Sequence, residues 1–399
     1  MKKKQRQFPV LLAAAAVALA AVPAVAQDGG AASKPLVLQW LDGDTAYDGP
    51  EITYDGPPIE VRFSTFIAPT GSVATVIIEK AFERLKQDTN GKIVIRPYWS
   101  NSLADAQRGG FEAVASGVAQ MSHCYVAFNP AGFDLHVGLQ IPFLVNRSTA
   151  ASLAIQEIYE KYFRETYEQK DVYLARAGIT PPNQLLTTGK PVERLEDLAG
   201  KKTWALGEIP NAVLSALGAT PVALPPSELY VSMQSGVVDI TPMHDAGTRL
   251  FRLGELAKAR TAANLTASTT EYCMNKEFFD GLPADLQQAF YLWLQRWNHA
   301  ESELYYDTEA ALARKEMQEA GVVFVDLPPE ETQRWKDRVE PVIERWIAAN
   351  EAKGLPARQF YDEYVELIAK YETLSDDELF EHIVASPVPG LVSGYTLSR

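Results

Sequence analysis

Just after residue 58, apolar and polar residues alternate with the period of a strand, and the period then becomes helical. Residues 59–64 alternate between apolar and polar side chains, which is typical of a strand with one buried face. Residues 73–85 place apolar side chains three and four positions apart, which predicts an amphipathic helix, and residues 92–98 predict a second strand. A strand, a helix and a strand in this order predict a βαβ unit and a mainly parallel sheet.

A short internal similarity indicates that a helix–strand unit occurs twice. Residues 114–121 and 233–240 both predict a helix that ends at a glycine and is followed at once by a strand. The segments share only Ser-Gly-Val, so coincidence is the alternative to a structural repeat. If the repeat is structural, the strands ending near Tyr125 and His244 lie at equivalent positions in two lobes. Ligands of open α/β sheets bind at such carboxyl ends, which predicts a cleft between the lobes as the site.

The segment from Pro283 to Ala320 contains no internal glycine or proline and keeps one face apolar. It predicts a helix of about 38 residues, roughly 57 Å long, which would exceed one lobe and run behind both. The alternative is two helices with a break near residues 301–305.

The first 26 residues have the composition of an export signal. Basic residues at positions 2–4 and 6 precede an apolar run over 10–22, and Ala24-Val25-Ala26 matches a cleavage site. The apolar run is too short for a typical membrane-spanning helix, and an uncleaved anchor is the alternative. We therefore expect cleavage after Ala26, localisation in the periplasm and no direct membrane insertion of the mature protein.

Charge and size narrow the range of partners and folds. The formal net charge of −14 would repel nucleic acid and anionic lipid, so neither is an expected partner. A chain of 399 residues exceeds what one hydrophobic core usually holds, which predicts two domains. Cys124 and Cys273 are the only cysteines, and they could form a disulfide in an oxidising compartment or remain buried thiols.

Several short segments resemble the substrate-receptor subunits of TRAP (tripartite ATP-independent periplasmic) transporters, the DctP-like family. These segments are residues 98–103, 190–202, 217–222, 228–230, 234–239, 275–276 and 281–287. The resemblance covers residues 59–370 and implies an α/β, two-lobed fold of the type 2 periplasmic-binding-protein class, with an interlobe cleft and a long spanning helix. It also implies a receptor that captures a small organic solute and delivers it to TRAP membrane permease subunits, without a cofactor.

The same resemblance, together with the signal pattern, predicts the domain boundaries. They are a signal peptide (1–26), an N-terminal leader (27–58), a first lobe (59–182 plus 269–308), a second lobe (183–268 plus 309–371) and a C-terminal tail (372–399). Residues 27–58 contain two Gly-Pro turns and little apolar periodicity, so we expect them to lie outside the main fold.

This sequence departs from the family at the residues that hold the ligand. The resemblance implies an arginine just after the Gly-Lys-Lys strand as the usual partner of an organic acid, but Trp204 stands there. Gln184 stands where some members have a second arginine, and Tyr125 stands where some have a carboxylate. A buried anion without a partner is costly, so we expect either an acid held by another arginine or a cationic or aromatic solute stacked on aromatic rings.

The predicted ligand-binding residues are Trp204, Gln184, Tyr125, Met243, His244, Phe66, Tyr272 and Glu208. A further aromatic candidate is Phe143. Negative charge for a cationic ligand could come from Glu208, Asp245 or Glu271. The arginines that could hold an acid instead are Arg62, Arg147, Arg176 and Arg249.

An enzyme is the main alternative class, but the sequence lacks G-x-S-x-G, H-E-x-x-H, P-loop and G-x-G-x-x-G motifs. The five histidines are scattered without the spacing of metal ligands, so no catalytic or metal-binding residue is predicted. A sensory protein that reports ligand to a signalling receptor would use the same fold and the same hinge closure, and it stays open as a second alternative.

Overall fold

A computed structural model describes residues 34–397, and the predicted signal peptide at residues 1–26 lies outside this range. Within the described range, no helix combines the length and the apolar character that crossing a membrane requires. The α-helices of this range are α1 (Leu36–Asp42), α2 (Val73–Asp88), α3 (Gly110–Ala115), α4 (Ser148–Tyr162), α5 (Arg164–Glu168), α6 (Glu208–Ala216), α7 (Leu229–Gln234), α8 (Asp245–Leu250), α9 (Lys276–Asp280), α10 (Ala284–Ala300), α11 (Tyr306–Glu319), α12 (Pro329–Glu351), α13 (Ala357–Glu372) and α14 (Asp376–Ala385).

Two sheets form the centres of two lobes. The first sheet has the order β2-β1-β3-β10-β4, and the second has the order β11-β9-β5-β8-β6-β7. The strands are β1 (Ile59–Ser64), β2 (Ile93–Tyr98), β3 (Met121–His123), β4 (Val172–Ile179), β5 (Gln184–Thr187), β6 (Lys202–Trp204), β7 (Thr220–Val222), β8 (Ile240–Met243), β9 (Ala259–Ala262), β10 (Thr269–Asn275) and β11 (Val323–Asp326). The βαβ unit predicted from the apolar pattern is confirmed, because β1 and β2 are parallel and are joined by α2.

The internal similarity marks equivalent positions in the two sheets. β3 pairs in parallel with β1 and antiparallel with β10, and β8 pairs in parallel with β6 and antiparallel with β5. Each of the two strands follows a helix that ends in a glycine turn, and Gly117 and Gly236 both have a φ of 72°. That left-handed conformation favours glycine, which explains why the residue recurs at this point of both lobes.

Three segments connect the lobes. Residues 180–183 and 263–268 cross side by side, and their backbones are hydrogen-bonded from Thr180 to Ser268 and between Asn183 and Thr266. The third connection is a continuous helical segment in which α10 passes through a π-helical turn, Glu301–Tyr305, into α11. The predicted long helix is therefore confirmed, and the π turn occupies the place where a break was the alternative. α10 packs on α2 and β4 of the first lobe, whereas α11 packs on α8 of the second.

The terminal segments differ from the sequence-based expectation. Residues 27–58 were expected outside the main fold, yet α1 buries Trp40 and three neighbouring apolar side chains against α2, α10 and α14. The chain after residue 371 also packs inward, and Phe380 of α14 lies against the Trp40 ring. The apolar run Leu36–Leu41 needs burial, and the left-handed Gly43 ends its helix. The lobe boundaries stay a prediction, but α13, expected in the second lobe, packs on α4, which follows the first-lobe strands.

Cys124 and Cys273 form a disulfide with a Cα–Cα distance of 5.7 Å, which decides between the two alternatives left open by the sequence. The bond joins the residue after β3 to the centre of β10, and both cysteines are buried. Each cysteine is adjacent in sequence to a tyrosine, Tyr125 or Tyr272, that faces the cleft between the lobes.

Candidate functional site

A cavity of about 110 Å³ lies between the lobes, at the ends of β3 and β8. Its walls come from both lobes, from the crossing segments and from the π turn. The residues used below are Phe66, His123, Tyr125, Arg176, Trp204, Met243, His244, Phe251, Thr270, Tyr272, Glu301, Tyr305 and Tyr306. A larger, open groove of about 1430 Å³ lies between α10 and residues 384–397, away from the strand ends. The interlobe cavity has the position expected for a ligand in an open α/β sheet.

Arg176, in the centre of β4, is a buried cation in the cavity wall. Its side chain is 2% exposed, and its guanidinium lies 5.1 Å from the centre of the Tyr272 ring. Nη1 donates a long hydrogen bond of 3.4 Å to Thr270, while Nε and Nη2 have no hydrogen-bond partner among residues 34–397. Burial opposes the charge, but the Glu301 carboxylate and the nearby tyrosines outweigh it and raise the pKa of Arg176. The site therefore contains a charged guanidinium with donors to spare.

Glu301 is the counterion of Arg176 and lies in the π turn. Its Oε2 is 3.5 Å from Arg176 Nε, and its Oε1 accepts a 3.0 Å hydrogen bond from the Tyr272 hydroxyl. Oε2 has no hydrogen-bond partner within the described chain. Burial raises the pKa of Glu301, and Arg176 and the Tyr272 hydroxyl act in the opposite direction. π turns occur often at functional sites, and this one brings Glu301, Tyr305 and Tyr306 to the same cavity.

Aromatic rings form the flat walls of the cavity. Trp204 is buried against the apolar core of the second lobe, and its indole Nε1 donates a 2.9 Å hydrogen bond to the Leu224 carbonyl. Phe66 from the first lobe and Phe251 from the second are nearly parallel, at 8°, with ring centres 6.4 Å apart. Two rings that face each other across the lobes, with Trp204 beside them, suit a flat or unsaturated solute.

Two histidines in the wall are neutral. Burial lowers the pKa of His123 well below its usual value, and burial lowers the pKa of His244 to about 4. His244 Nδ1 accepts a hydrogen bond from the Gly247 amide and caps α8, whereas His123 Nε2 lies 2.9 Å from the Thr65 hydroxyl. His123 Nδ1 has no partner among the described residues, so it can offer one neutral hydrogen bond to a ligand. The described residues include no group of three or more histidines, cysteines or acidic residues that could hold a metal ion.

The structure places six of the eight sequence-predicted site residues around the cavity: Trp204, Tyr125, Met243, His244, Phe66 and Tyr272. Gln184 does not line it. The Gln184 amide instead donates to the Asn264 side chain at 2.8 Å and accepts from the Asn264 backbone at 3.2 Å, which ties the crossing segments together. Glu208 is exposed at the start of α6, where it can satisfy helix amide groups rather than a ligand. Direct ligand contact by the six residues stays a prediction.

Of the four arginines named as acid-binding candidates, Arg176 lines the cavity and the other three do not. Arg62 binds the Gln120 side chain and the Gly117 carbonyl, and Arg147 and Arg249 pair with acidic residues elsewhere. Among the acidic candidates, Asp245 is already paired with Arg260 and Arg314. Phe143 and Glu271 are also absent from the cavity wall.

The sequence contained a signal for Glu301 that periodicity alone did not use. Trp293, Trp297 and Glu301 follow one another at intervals of four, so the carboxylate lies on the apolar, buried face of the helix. Arg176 carries a similar signal, since it is the single charged residue in a strand whose eight residues are all buried. A lone charge in an apolar element must find a counterion or a ligand.

Comparisons with known proteins agree on one family. The model of the DctP family, "bacterial extracellular solute-binding protein, family 7", matches residues 63–350. The C4-dicarboxylate-binding periplasmic protein DctP of Rhodobacter capsulatus is 27% identical over 290 residues, covering 71% of this chain and 85% of that protein.

Solved TRAP solute-binding proteins share the fold. One from a marine metagenome, specific for aromatic acid ligands and bound to 3-hydroxybenzoate, has a TM-score of 0.74 at 21% identity and covers 79% of this chain and 100% of that chain. One from Rhodoferax ferrireducens, in complex with benzoate, has a TM-score of 0.73 at 20% identity and covers 79% and 99%. Because the family match spans most of the chain, this protein belongs to family 7 of the bacterial extracellular solute-binding proteins, and it is the substrate-binding subunit of a TRAP transporter rather than an enzyme.

Proposed function

We propose that this TRAP receptor binds a small carboxylic acid with a flat, aromatic or similarly unsaturated body, and that Arg176 holds its carboxylate. The observation that carries the proposal is the pair of unpartnered N–H groups of a buried, charged guanidinium in the cavity wall. A guanidinium fork matches the two oxygens of a carboxylate, and a charged hydrogen bond in a dry site is strong. Arg176 thus takes, from the first lobe, the role for which Trp204 in the second lobe has no suitable group.

A cationic solute fits this cavity less well. Arg176 would repel it, and the Asp245 carboxylate is already occupied by two arginines. Glu208 and Glu271 do not reach the cavity, so Glu301 is the one acidic side chain among the described lining residues, and Arg176 already neutralises it. An aromatic cage without surplus negative charge favours a ring over a quaternary ammonium group.

The cavity also restricts the size of the ligand. Its volume of about 110 Å³ is below the roughly 300–1,000 Å³ of pockets that hold drug-sized molecules. The aromatic walls favour a planar body, and the solved relatives bound to benzoate and 3-hydroxybenzoate support an acid of that size. Contacts from both lobes would stabilise the closed form, which the permease subunits would then receive.

The predicted export route belongs to this proposal. A periplasmic receptor requires removal of residues 1–26 after translocation, and the A-x-A pattern at Ala24–Ala26 supports cleavage after Ala26. Intact-mass analysis of the protein recovered from a periplasmic extract would test this, and a retained N-terminus would contradict it.

A ligand screen with a matched pair of variants tests the ligand class. Benzoate, 3-hydroxybenzoate, succinate and glycine betaine would be compared by thermal shift, and affinities measured by titration calorimetry. Replacing Arg176 and Glu301 together by glutamine removes the cation without leaving an unpaired buried carboxylate. We expect this double variant to lose at least about 30-fold in acid affinity, because removing one side of a buried charged hydrogen bond costs about 2 kcal/mol or more.

The control is Arg62→Gln, which removes a guanidinium of the same lobe that lies outside the cavity. It should bind the acid as the wild type does. Stabilisation by glycine betaine without stabilisation by any acid, or unchanged acid affinity in the double variant, would contradict the proposal.

A further inference from the structure

We propose that binding of the acid is coupled to the uptake of one proton by Glu301, which then donates a hydrogen bond to the ligand carboxylate. This inference rests on the proposed binding of a carboxylate at Arg176. It concerns what happens to the carboxylate that Arg176 already has.

Arg176 cannot neutralise two anions in the same cavity. Its Nε faces Glu301 Oε2 at 3.5 Å, and the ligand carboxylate would have to lie beside that oxygen to reach Nε and Nη2. Two carboxylates at this separation repel each other, and in a buried site one of the pair normally carries a proton. Arg176 and Glu301 are 2% and 4% exposed, so water does little to screen the repulsion.

Glu301 is the better place for that proton. Its Oε1 is held by the Tyr272 hydroxyl, whereas its Oε2 has no hydrogen-bond partner among the described residues and faces Arg176. A proton on Oε2 would convert a repulsive oxygen into a donor aimed at the ligand. The ligand would keep its charge for Arg176, and the proton would come from the solvent, so the closed site would contain one cation and one anion.

The groups that face Glu301 leave few other proton acceptors. Arg176 comes from β4 and stays charged, Tyr272 comes from β10, Tyr125 follows β3, and Tyr305 and Tyr306 lie on the same helix. Burial raises the pKa values of these tyrosines, so they stay neutral in the working range. His123 across the cavity is neutral as well.

One other carboxyl lies close enough to compete. Glu271 precedes Tyr272 in β10 but lies behind the cavity wall, with Oε1 3.3 Å from His136 Nε2. Burial raises the pKa of Glu271 to about 7, so it also titrates near neutral pH. Glu271→Gln is therefore the matched control: it removes a buried carboxyl of the same lobe that does not line the cavity.

Calorimetric titration of benzoate in two buffers of different ionisation enthalpy counts the protons taken up on binding. We expect an uptake approaching one proton for the wild type and for Glu271→Gln, and none for Glu301→Gln. The free-state pKa of Glu301 lies below its ligand-bound pKa, so affinity should be highest at low pH and fall by up to tenfold per pH unit between these two values. Glu301→Gln, whose amide can donate permanently, should bind with a Kd independent of pH and at least tenfold tighter than wild type at pH 8.

Three results would overturn the inference: binding to the wild type without proton uptake, uptake that persists in Glu301→Gln, or uptake that disappears in Glu271→Gln. Weaker binding of Glu301→Gln at every pH would also overturn it, since Glu301 would then act by positioning Arg176. Failure of the wild type to bind any acid of the panel would overturn the proposed function and this inference together. The proton count in the wild type needs no variant to fold.

Discussion

Replacing Cys124 and Cys273 together by alanine tests how strongly their disulfide stabilises the first lobe. The two cysteines are 149 residues apart in sequence, so the bond closes a loop of that length in the unfolded chain. Chain-entropy theory gives about 17 cal/mol/K for such a loop, or about 5 kcal/mol at 25 °C, and removal of native disulfides typically costs about 2–5 kcal/mol. Alanine is preferable to serine, because both sites are buried and a hydroxyl there would lack a partner.

Guanidinium unfolding followed by the fluorescence of the seven tryptophans measures this loss. With an m-value of about 5 kcal/mol/M, a loss of that size lowers the midpoint by roughly 0.4–1 M. A reductant added to the wild type should reproduce the shift and should leave the double variant unchanged. Unfolding free energies of the variant and the wild type within about 0.5 kcal/mol of each other would refute the reasoning, since that is the range of an ordinary surface substitution.

Two further predictions concern residues in and behind the cavity wall. Trp204→Ala should cost about 3–5 kcal/mol in unfolding free energy and abolish measurable acid binding, whereas Trp204→Phe keeps an aromatic wall, loses the bond to the Leu224 carbonyl and should cost about 1 kcal/mol; equal losses in the two variants, by urea unfolding and calorimetry, would contradict a role as a wall. For Glu271, the pKa of about 7 in the folded protein against 4.5 in the unfolded chain means that its stabilising contribution is complete below pH 4.5 and is lost as the pH rises through 7. Glu271→Gln should therefore raise the unfolding free energy by about 3 kcal/mol at pH 8 and leave it unchanged at pH 4.5, and no gain at pH 8 would show that the carboxylate is not confined as the structure indicates.

The parts of the fold that the sequence predicted well are those in which a local pattern determines the element. β1 and β2 were identified by alternation and by the turn between helix and strand, and the segment without glycine or proline identified the helix that joins the lobes. The short similarity around Gly117 and Gly236 located the two strand ends that border the cavity, because a left-handed glycine at a helix end is a strong local requirement.

The parts that could not be predicted depend on contacts between distant segments. α1 contains six apolar or aromatic positions in too short a run to distinguish a packed helix from a leader, and its burial depends on α14 at the other end of the chain. The choice of Arg176 among four arginines depends on where β4 lies against β10, and a register shift between Tyr272 and Cys273 makes that alignment irregular. Gln184 was assigned to the site by position in the family, but a partner 80 residues away holds its amide.

The π turn has a consequence for how this receptor can vary. A π turn contains one residue more than an α-helical turn, so it corresponds to a single-residue insertion in the long helix. Deleting one residue, such as Ser302, would restore α-helical geometry but would rotate everything after it by about 100°. That rotation would turn Tyr306 away from the ligand and would turn Ala313 and Met317 out of the second-lobe core that they now share. The spacing of this helix therefore couples the shape of the cavity to the mutual orientation of the lobes, and insertions or deletions there should be tolerated far less than substitutions.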